Sequence, residues 1–285
     1  MLVARSRRLS AIKHTLTLFL LLLSFNALSA EPDYSEEDHI LVGIDMAYDS
    51  GLHQAQDGFF YPDLNFDIRQ GKMFAKGNTF GYDLFEGSRA SFSLAITRGE
   101  HFLDLDTIND PNNPLYYGLE DKKRAIEAGF IYKYRSRVGL VSFEYYKDYS
   151  DAHDGLRTVF RITRPIPNNE GLVMTPSLFV NYYSRKFNRY YYGVTEEQNR
   201  KATLLAYGLV NDTTLSRYEN ITRREYQPKN SAQLGVDINL RMPLTEEFSV
   251  TGYLSYEDIV GEAFRSPLVE DRKHYRAKIG LAYTF

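Results

Sequence analysis

The 285-residue sequence contains no cysteine and no tryptophan. Without cysteine, an exported protein has no disulfide framework and no thiol on which a lipoprotein anchor could be built. Long apolar runs are also scarce. Beyond residue 30, no stretch approaches the roughly 20 apolar residues that a membrane-spanning helix needs. These absences exclude a disulfide-stapled secreted domain and a membrane protein built from helices.

The amino-terminal 30 residues carry a different signal. Arg5, Arg7, Arg8 and Lys13 precede the apolar run LTLFLLLLSFNAL, and the small residues ALSA follow it. A basic amino-terminal region, an apolar central region and small residues at the cleavage site indicate a secretory signal peptide. We expect cleavage after Ser29 or Ala30, which leaves one domain over residues 31–285. A membrane anchor is the alternative, although the apolar run is short for one.

The charge balance argues against nucleic acid as a partner. Four basic and no acidic residues fall in the first 30, which leaves 30 basic against 37 acidic residues and a net charge of −7. Nucleic-acid binding depends on an excess of Lys and Arg contacts to phosphate. What the sequence has in abundance is tyrosine, 23 residues, with 18 phenylalanines. Tyrosine is well suited to strands that lie between an apolar environment and water, because its ring is apolar and its hydroxyl group is polar.

Apolar and polar residues alternate with period two along most of the chain, which predicts about 12 strands, with 10–14 allowed by uncertain boundaries. The segments are HILVGIDMAY (39–48), DLNFDIR (63–69), GKMFAKG (71–77), TFGYDLF (79–85), SRASFSLAITR (88–98), AIEAGFIYKYR (125–135), VGLVSFEYY (138–146), GLRTVFRITR (155–164), LVMTPSLFVNYY (172–183), AQLGVDINLRM (232–242), FSVTGYLSYE (248–257) and HYRAKIGLAYTF (274–285). Many approach the 9–11 residues of a tilted membrane strand.

The connections alternate in length. Short ones are 135–137, 165–171 and 242–247, and long ones are 99–123, 184–230 and 258–272. Outer-membrane barrels have short periplasmic turns and long extracellular loops. With an even strand count, both termini fall on the periplasmic side. The pattern therefore predicts an all-β fold, an antiparallel up-and-down transmembrane β-barrel.

The polar faces of the predicted strands carry charges of both signs. In a membrane barrel these faces line the lumen while the apolar faces meet lipid. Opposite charges in a narrow lumen can neutralise one another. A soluble β-sandwich, with its charged face in water, is the alternative interpretation. The charged residues are Glu127, Lys133, Arg135, Glu144, Arg157, Arg161, Asp237, Arg241, Glu257, Arg276 and Lys278.

The final strand is apolar at every second position and ends on an aromatic residue. Ala277, Ile279, Leu281, Tyr283 and Phe285 form this pattern, and Tyr275 extends it. We expect these side chains to face lipid, with Arg276 and Lys278 in the lumen. Before the barrel closes, the last strand has an unpaired edge, and another strand can pair with that edge. The pattern is therefore predicted to be the signal that the barrel-insertion machinery reads.

The loop motifs GLEDKKRAIEAGFIYKYR, KDYSDAHDG, RYYYGVTEEQ, YQP and FRSPLVEDRKHYRAKIGLAYTF follow one another in this order. Together they resemble the MipA/OmpV family of outer-membrane proteins over nearly all of residues 31–285. The most specific positions are His153, Asp154, Gly155, Tyr191, Tyr192, Gly193, Val194, Ser266, Pro267, Leu268 and Val269. Segment 201–228 is longer than the family pattern leads us to expect, and the role of the long loop 184–230 stays open.

The resemblance implies a non-enzymatic scaffold that bridges a lytic transglycosylase and a penicillin-binding protein and so links murein cleavage to synthesis. Other members are described as adhesins, osmotic-response proteins or antibiotic-uptake routes, so a narrow channel for small solutes is the alternative function. The expected surroundings are outer-membrane lipid and lipopolysaccharide. No cofactor is implied. Because the family is functionally diverse, membership alone does not decide the function.

A protease of the omptin type is a further alternative, because Asp104 and Asp106 lie in one predicted loop and Asp151, His153 and Asp154 in another. A histidine oriented by a carboxylate can activate water. Asp, His and Gly are also common turn residues, which favours a structural interpretation.

Three further motifs admit mainly structural interpretations. Tyrosines 190–192 are predicted to anchor the strand rim at the lipid headgroups, as interface aromatics do, with an aromatic recognition patch as the alternative. The basic cluster TRREYQPK (222–229) is either a lipopolysaccharide contact or a solvated loop. The acid–histidine cluster EEDH (36–39) and the single histidines His53, His101 and His274 show no spacing that demands a metal site.

Overall fold

The computed structural model describes residues 37–53, 56–105, 115–116, 118–167, 171–200 and 224–285. The predicted signal peptide, Asp106 and most of segment 201–228 lie outside the described residues. The strands are β1 (His39–Asp49), β2 (Phe59–Gln70), β3 (Met73–Lys76), β4 (Thr79–Glu86), β5 (Ala90–Arg98), β6 (Ile126–Ser136), β7 (Gly139–Asp148), β8 (Leu156–Thr163), β9 (Ile166–Pro167), β10 (Val173–Tyr183), β11 (Ser231–Pro243), β12 (Phe248–Gly261) and β13 (Lys273–Thr284). Helix α1 spans Arg185–Tyr192, and a 3-10 turn spans Ala263–Arg265.

The strands form one closed antiparallel ring. Each pairs with its neighbour in sequence, except that β8 pairs with β10, and β13 pairs back onto β1. The two-residue β9 adds a short extension to β10 and is not a wall strand. Within the described residues the wall therefore has 12 strands, which confirms the predicted up-and-down barrel. Closure pairs the first strand with the last, so that neither of them is an edge strand.

The two faces of the wall have opposite character. Large apolar side chains such as Phe60, Ile96 and Ile279 are exposed on the outside, whereas Glu127 and Asp237 are buried inside. This is the inverse of a soluble β-sandwich, in which the apolar face would be buried. The alternation read from the sequence is therefore the alternation between lipid and lumen.

The terminal strand has the predicted orientation. Ile279 and Leu281 are exposed on the lipid side, while Arg276 and Lys278 contact acidic side chains in the lumen. Phe285 continues the pairing beyond β13, because its N–H donates to the carbonyl oxygen of Ile40 at 2.9 Å. The seam between β1 and β13 thus extends to the last residue.

Deleting Phe285 is predicted to impair assembly, since it removes the last backbone pair of the seam and the ring contact with Tyr283 at 4.7 Å. The measurement is the amount of folded barrel in the outer membrane, read as the heat-modifiable band on gels. The matched control is Phe60→Ala, which removes an equally exposed ring away from the seam. Equal amounts of folded barrel in the two variants would contradict the role assigned to the terminal residue.

Candidate functional site: the cap over the lumen

Helix α1 begins directly where β10 ends. Ser184 is its N-cap residue, and the Ser184 hydroxyl accepts the N–H of Phe187 at 3.5 Å and that of Leu156 at 2.9 Å. The first turn carries Arg185 and Lys186 and no acid, so charges near the helix dipole do not stabilise it. An eight-residue helix is also too short to be stable alone. Tertiary contacts must therefore hold α1 in place.

Those contacts tie α1 to inward-facing residues at the extracellular end of the wall. The ring of Phe187 stacks on that of Tyr183, with centroids 4.5 Å apart. Tyr192 belongs to the same buried cluster as Ile259 of β12. The Asn188 amide donates to the carbonyl of Lys229 at 2.6 Å and accepts from the Ser231 hydroxyl at 2.9 Å. The helix consequently lies across the mouth of the lumen, fastened to β10, β11 and β12.

Loop segments 99–105, 149–155 and 262–272 pack with α1, and we call this assembly the cap. The first contact comes from the HDG motif. The His153 ring lies 4.9 Å from that of Phe187. At Gly155 a Cβ atom would stand 2.5 Å from the Phe187 nitrogen and 2.9 Å from the Ser184 hydroxyl. Glycine is therefore required for the start of α1 to approach the start of β8 this closely.

The SPLV motif reaches the other end of α1. The Ser266 hydroxyl donates to the Tyr192 carbonyl at 2.7 Å and accepts the Leu268 N–H at 3.1 Å. Leu268 is fully buried, while Pro267 is half-buried between it and Ser266. Val269 forms an isolated β-bridge with His53 in the β1–β2 loop.

The YYGV motif forms the end of the helix itself. The Tyr191 hydroxyl donates to the Lys123 carbonyl at 3.0 Å. A Cβ atom at Gly193 would lie 2.2 Å from the Arg189 carbonyl oxygen, so this position also demands glycine. Val194 pairs with Tyr226 through two backbone hydrogen bonds of 2.8 and 2.9 Å. Three motifs far apart in sequence are thus brought together around α1.

The imidazole of His101 occupies the centre of the cap. Four aromatic rings surround it, those of Phe187, Tyr183, Tyr191 and Tyr192, with centroids 5.0, 5.1, 5.6 and 6.2 Å away. Burial lowers the pKa of His101 to about 3, so the ring is neutral at pH 7. The neutral imidazole behaves here as a fifth aromatic ring.

Below the cap, inward-facing charges of opposite sign are bound in pairs. Arg276 binds Glu100 of the β5–β6 loop at 2.6 Å and also contacts Glu257. The positive charge of Arg276 lowers the pKa of Glu100 to about 2. Arg157 binds Glu127 through two nitrogens at 2.8 and 3.0 Å. The predicted neutralisation of opposite charges is confirmed, and it recurs elsewhere in the lumen, as in the pairs Arg161–Asp237 and Lys278–Asp63.

The rim interpretation of the YYYG motif is wrong for two of its tyrosines. Tyr191 and Tyr192 are each 2% exposed on the inner side of α1, far from lipid headgroups. Tyr190 is half-buried, and its hydroxyl accepts the Lys123 N–H at 3.1 Å. The reason is local: Ser184 starts a helix, so these residues do not continue the strand alternation of β10.

The protease hypothesis finds no catalytic arrangement among the described residues. The side chain of His153 is completely buried, and its Nδ1 accepts the Gly155 N–H at 2.9 Å. Burial lowers the pKa of His153. The adjacent Asp154 carboxylate points away, to Lys147 and Lys186. Asp151 and Asp154 have positive φ angles of 56° and 47°, as residues in tight turns do.

Neither a metal centre nor a spanning helix is present in the described parts of the chain. No group of three His, Asp or Glu side chains there could hold a metal ion. No helix there is long and apolar enough to cross a membrane. His53 is buried under Leu268 in the cap, and burial lowers its pKa to about 4.

Sequence reasoning found the motifs but missed α1. The signal was present in SRKFNRYYYG, where Ser184 precedes apolar residues at 187 and 191 with basic residues at 185, 186 and 189. Apolar residues four apart behind a capping serine indicate a short helix. It was hidden because the aromatic run also continues the alternation of β10.

A closed 12-strand barrel with a lipid-facing apolar band and a charged lumen defines an outer-membrane β-barrel. The chain belongs to the MipA family: the family model described as "MltA-interacting protein MipA" matches residues 30–285. The protein is located in the outer membrane.

Individual relatives are distant. The MltA-interacting protein of Escherichia coli K12 is 24% identical over 171 residues, which span 59% of this chain and 59% of that protein. The putative outer membrane protein YiaT of the same strain is 20% identical over 213 residues, 75% of this chain and 77% of that protein. The solved NanC porin aligns over 85% of this chain and 98% of its own, with 8% identity and a TM-score of 0.42.

The close approach at Gly155 yields one prediction. Gly155→Ala should push α1 away from β8 and destabilise the cap by about 1–3 kcal/mol, the usual cost of overpacking. Added protease should then cleave the region of α1 on intact cells, while the barrel stays folded. Gly252→Ala is the matched control, because a Cβ there meets Leu240 at an ordinary 3.4 Å. Protection of α1 equal to that of the wild type would rule out this role for Gly155.

His101 yields a pH prediction. Its pKa is lowered from 6.5 to about 3 in the closed cap. Below pH 6.5, His101 is protonated in an opened cap but stays neutral in the closed cap. The closed cap therefore loses stability as the pH falls from about 6.5 to about 3. Amide hydrogen exchange across α1, corrected for intrinsic rates, should show falling protection over this range. His101→Phe should weaken the dependence, and an unchanged pH profile in that variant would refute the assignment.

Proposed function

We propose that this protein is a non-conducting outer-membrane scaffold that holds murein-processing enzymes, a lytic transglycosylase and a penicillin-binding protein, at its periplasmic side. The observation that carries the proposal is the cap, which lies across the lumen and is fastened at both ends of α1. A barrel built for steady diffusion of solutes would not fill its mouth with buried aromatic rings. Binding of partners at the rim needs no open lumen.

The charges below the cap support the same function. Glu100 and Glu257 are both bound to Arg276, and a permeating ion would have to displace these pairs. A narrow uptake channel therefore requires that both the cap and these charge pairs rearrange. The name of the E. coli relative, MltA-interacting protein, supports binding of a murein hydrolase as the mode of action.

The periplasmic turns offer surfaces for such partners. Val138 in the β6–β7 turn and Leu244 in the β11–β12 turn are exposed apolar residues, 52% and 55% accessible. Arg137 and Glu246 beside them supply charges of either sign. Apolar residues rimmed by charge are the usual composition of a protein contact.

Site-specific photo-crosslinking in cells tests the proposal. A photoreactive residue at Val138 or at Leu244 should capture a lytic transglycosylase or a penicillin-binding protein, identified by mass spectrometry. The control is Tyr149 in the extracellular β7–β8 loop, which is 81% exposed and should capture neither enzyme. Absence of murein enzymes from both periplasmic positions would overturn the scaffold function.

A further inference from the structure

The barrel wall has uneven height beside β2. Strand β3 has only four residues, and the β3–β4 turn consists of Gly77 and Asn78. The Gly77 N–H donates to the carbonyl oxygen of Phe66 at 3.0 Å, which is the last bond on this side of β2. Residues 59–65 of β2 continue beyond that turn, and among the described residues they pair only with β1. We call the gap beside residues 59–65 the window.

The direction of the unpaired backbone groups follows from the bond at Phe66. In an antiparallel strand, alternate residues direct both backbone groups to the same side. Because the Phe66 carbonyl points toward β3, the backbone groups of Leu64, Pro62 and Phe60 point into the window. Proline has no N–H, and within sheets it is confined to positions where the ladder needs no donor. Pro62 occupies such a position, which indicates an edge that is meant to stay unpaired.

The window adjoins the apolar outer band, because Leu64 lies opposite Ile44 of β1, which is 59% exposed. Phe60 and Leu64 flank Pro62 on the outer face of β2 and are 73% and 69% exposed. The Phe60 ring packs on Tyr48 of β1 with centroids 5.0 Å apart, so it continues the apolar band of the neighbouring strand. Backbone groups left unpaired in hydrocarbon are strongly unfavourable. Because no described residue pairs with them, we infer that water or a polar ligand group meets them.

Inward-facing side chains beside the window are partly exposed. Lys278 and Asp63 are bound at 2.5 Å with 28% and 35% of their side chains exposed. Lys76 at the foot of the window is 73% exposed although it pairs with inward-facing Asp67. By contrast, the carboxylate of Glu127 on the opposite wall is almost completely buried. The exposure is confined to the height of the window, since the side chains of Arg69 and Asp83 below it on the same side are only 4% and 3% exposed.

We propose that the window is a lateral binding site for amphiphilic molecules from the outer leaflet. Its edge presents three carbonyl acceptors, of residues 60, 62 and 64, against two N–H donors. The excess of acceptors favours a ligand whose polar end carries hydroxyl groups and whose apolar body stays between Phe60 and Leu64. The site is independent of the periplasmic scaffold function, and either can fail without the other.

Spin labels attached to single cysteines test the window, since the chain has no native cysteine. Asn65→Cys places a label on the lumen side at the window. Leu64→Cys places one on the lipid side, and Ser142→Cys places one in the lumen behind the complete wall of β6, β7 and β8. In bilayers, oxygen reports access from lipid and a nickel chelate reports access from water.

The label at 64 should respond to oxygen alone and the label at 142 to neither reagent. The label at 65 should respond to both, by at least fivefold over the label at 142. A label at 65 as protected as that at 142, in a variant that keeps the heat-modifiable band, would overturn the window.

The ligand class is tested with 1-decanol as the probe. Decanol in the bilayer should lower access of the nickel chelate to the label at 65 by at least half, because its hydroxyl group replaces window water. Decane at the same concentration should have no such effect. Equal responses to decanol and decane would overturn the proposed hydroxyl-bearing ligand while leaving the crosslinking result for the scaffold unaffected.

Discussion

Pairing of opposite charges inside the lumen is the constraint on which the rest of the structure depends. Ions removed from water are costly unless a partner and hydrogen bonds replace the lost solvent. Arg276 binds Glu257 on the adjacent strand and Glu100 from the β5–β6 loop. The second bond draws that loop into the barrel. It thereby places His101, the next residue, beneath α1.

From that position the cap is assembled by packing rather than by helix propensity. The rings of Tyr183, Phe187 and Tyr191 close around His101, while Ser184 and Ser266 fix the two ends of the helix. Such an assembly is cooperative, because each contact depends on the others being in place. It also explains why a helix with basic residues at its dipole-positive end is stable here.

Much of the fold was predictable because a membrane barrel obeys one simple period. The lipid-facing Ile279 and the lumen-facing Arg276 follow directly from alternation, and so does the strand count. The cap was not predictable from the same rule. Its contacts join residues such as Gly155 and Phe187, or Ser266 and Tyr192, whose proximity depends on how loops fold back over the mouth. A sequence pattern identified these residues as distinctive without showing that they meet.

The window beside β2 is a second feature that the sequence pattern alone does not reveal. GKMFAKG is one of the predicted strands, yet the meaning of the four-residue β3 within it comes only from the register, which places Pro62 beyond the β3–β4 turn. Local sequence predicts how long each strand is. How far one strand extends beyond its neighbour depends on the shear of the closed barrel, which local sequence does not show.

The central claim is that the capped barrel does not conduct. Ion conductance across planar bilayers tests it most directly, with purified wild type compared with the double variant Phe187→Ala, Tyr191→Ala, which removes two rings from the cap. The account predicts a silent wild type and only small conductance steps in the double variant, because the charge pairs of Arg276 still narrow its lumen. Steady conductance of the wild-type protein would contradict it.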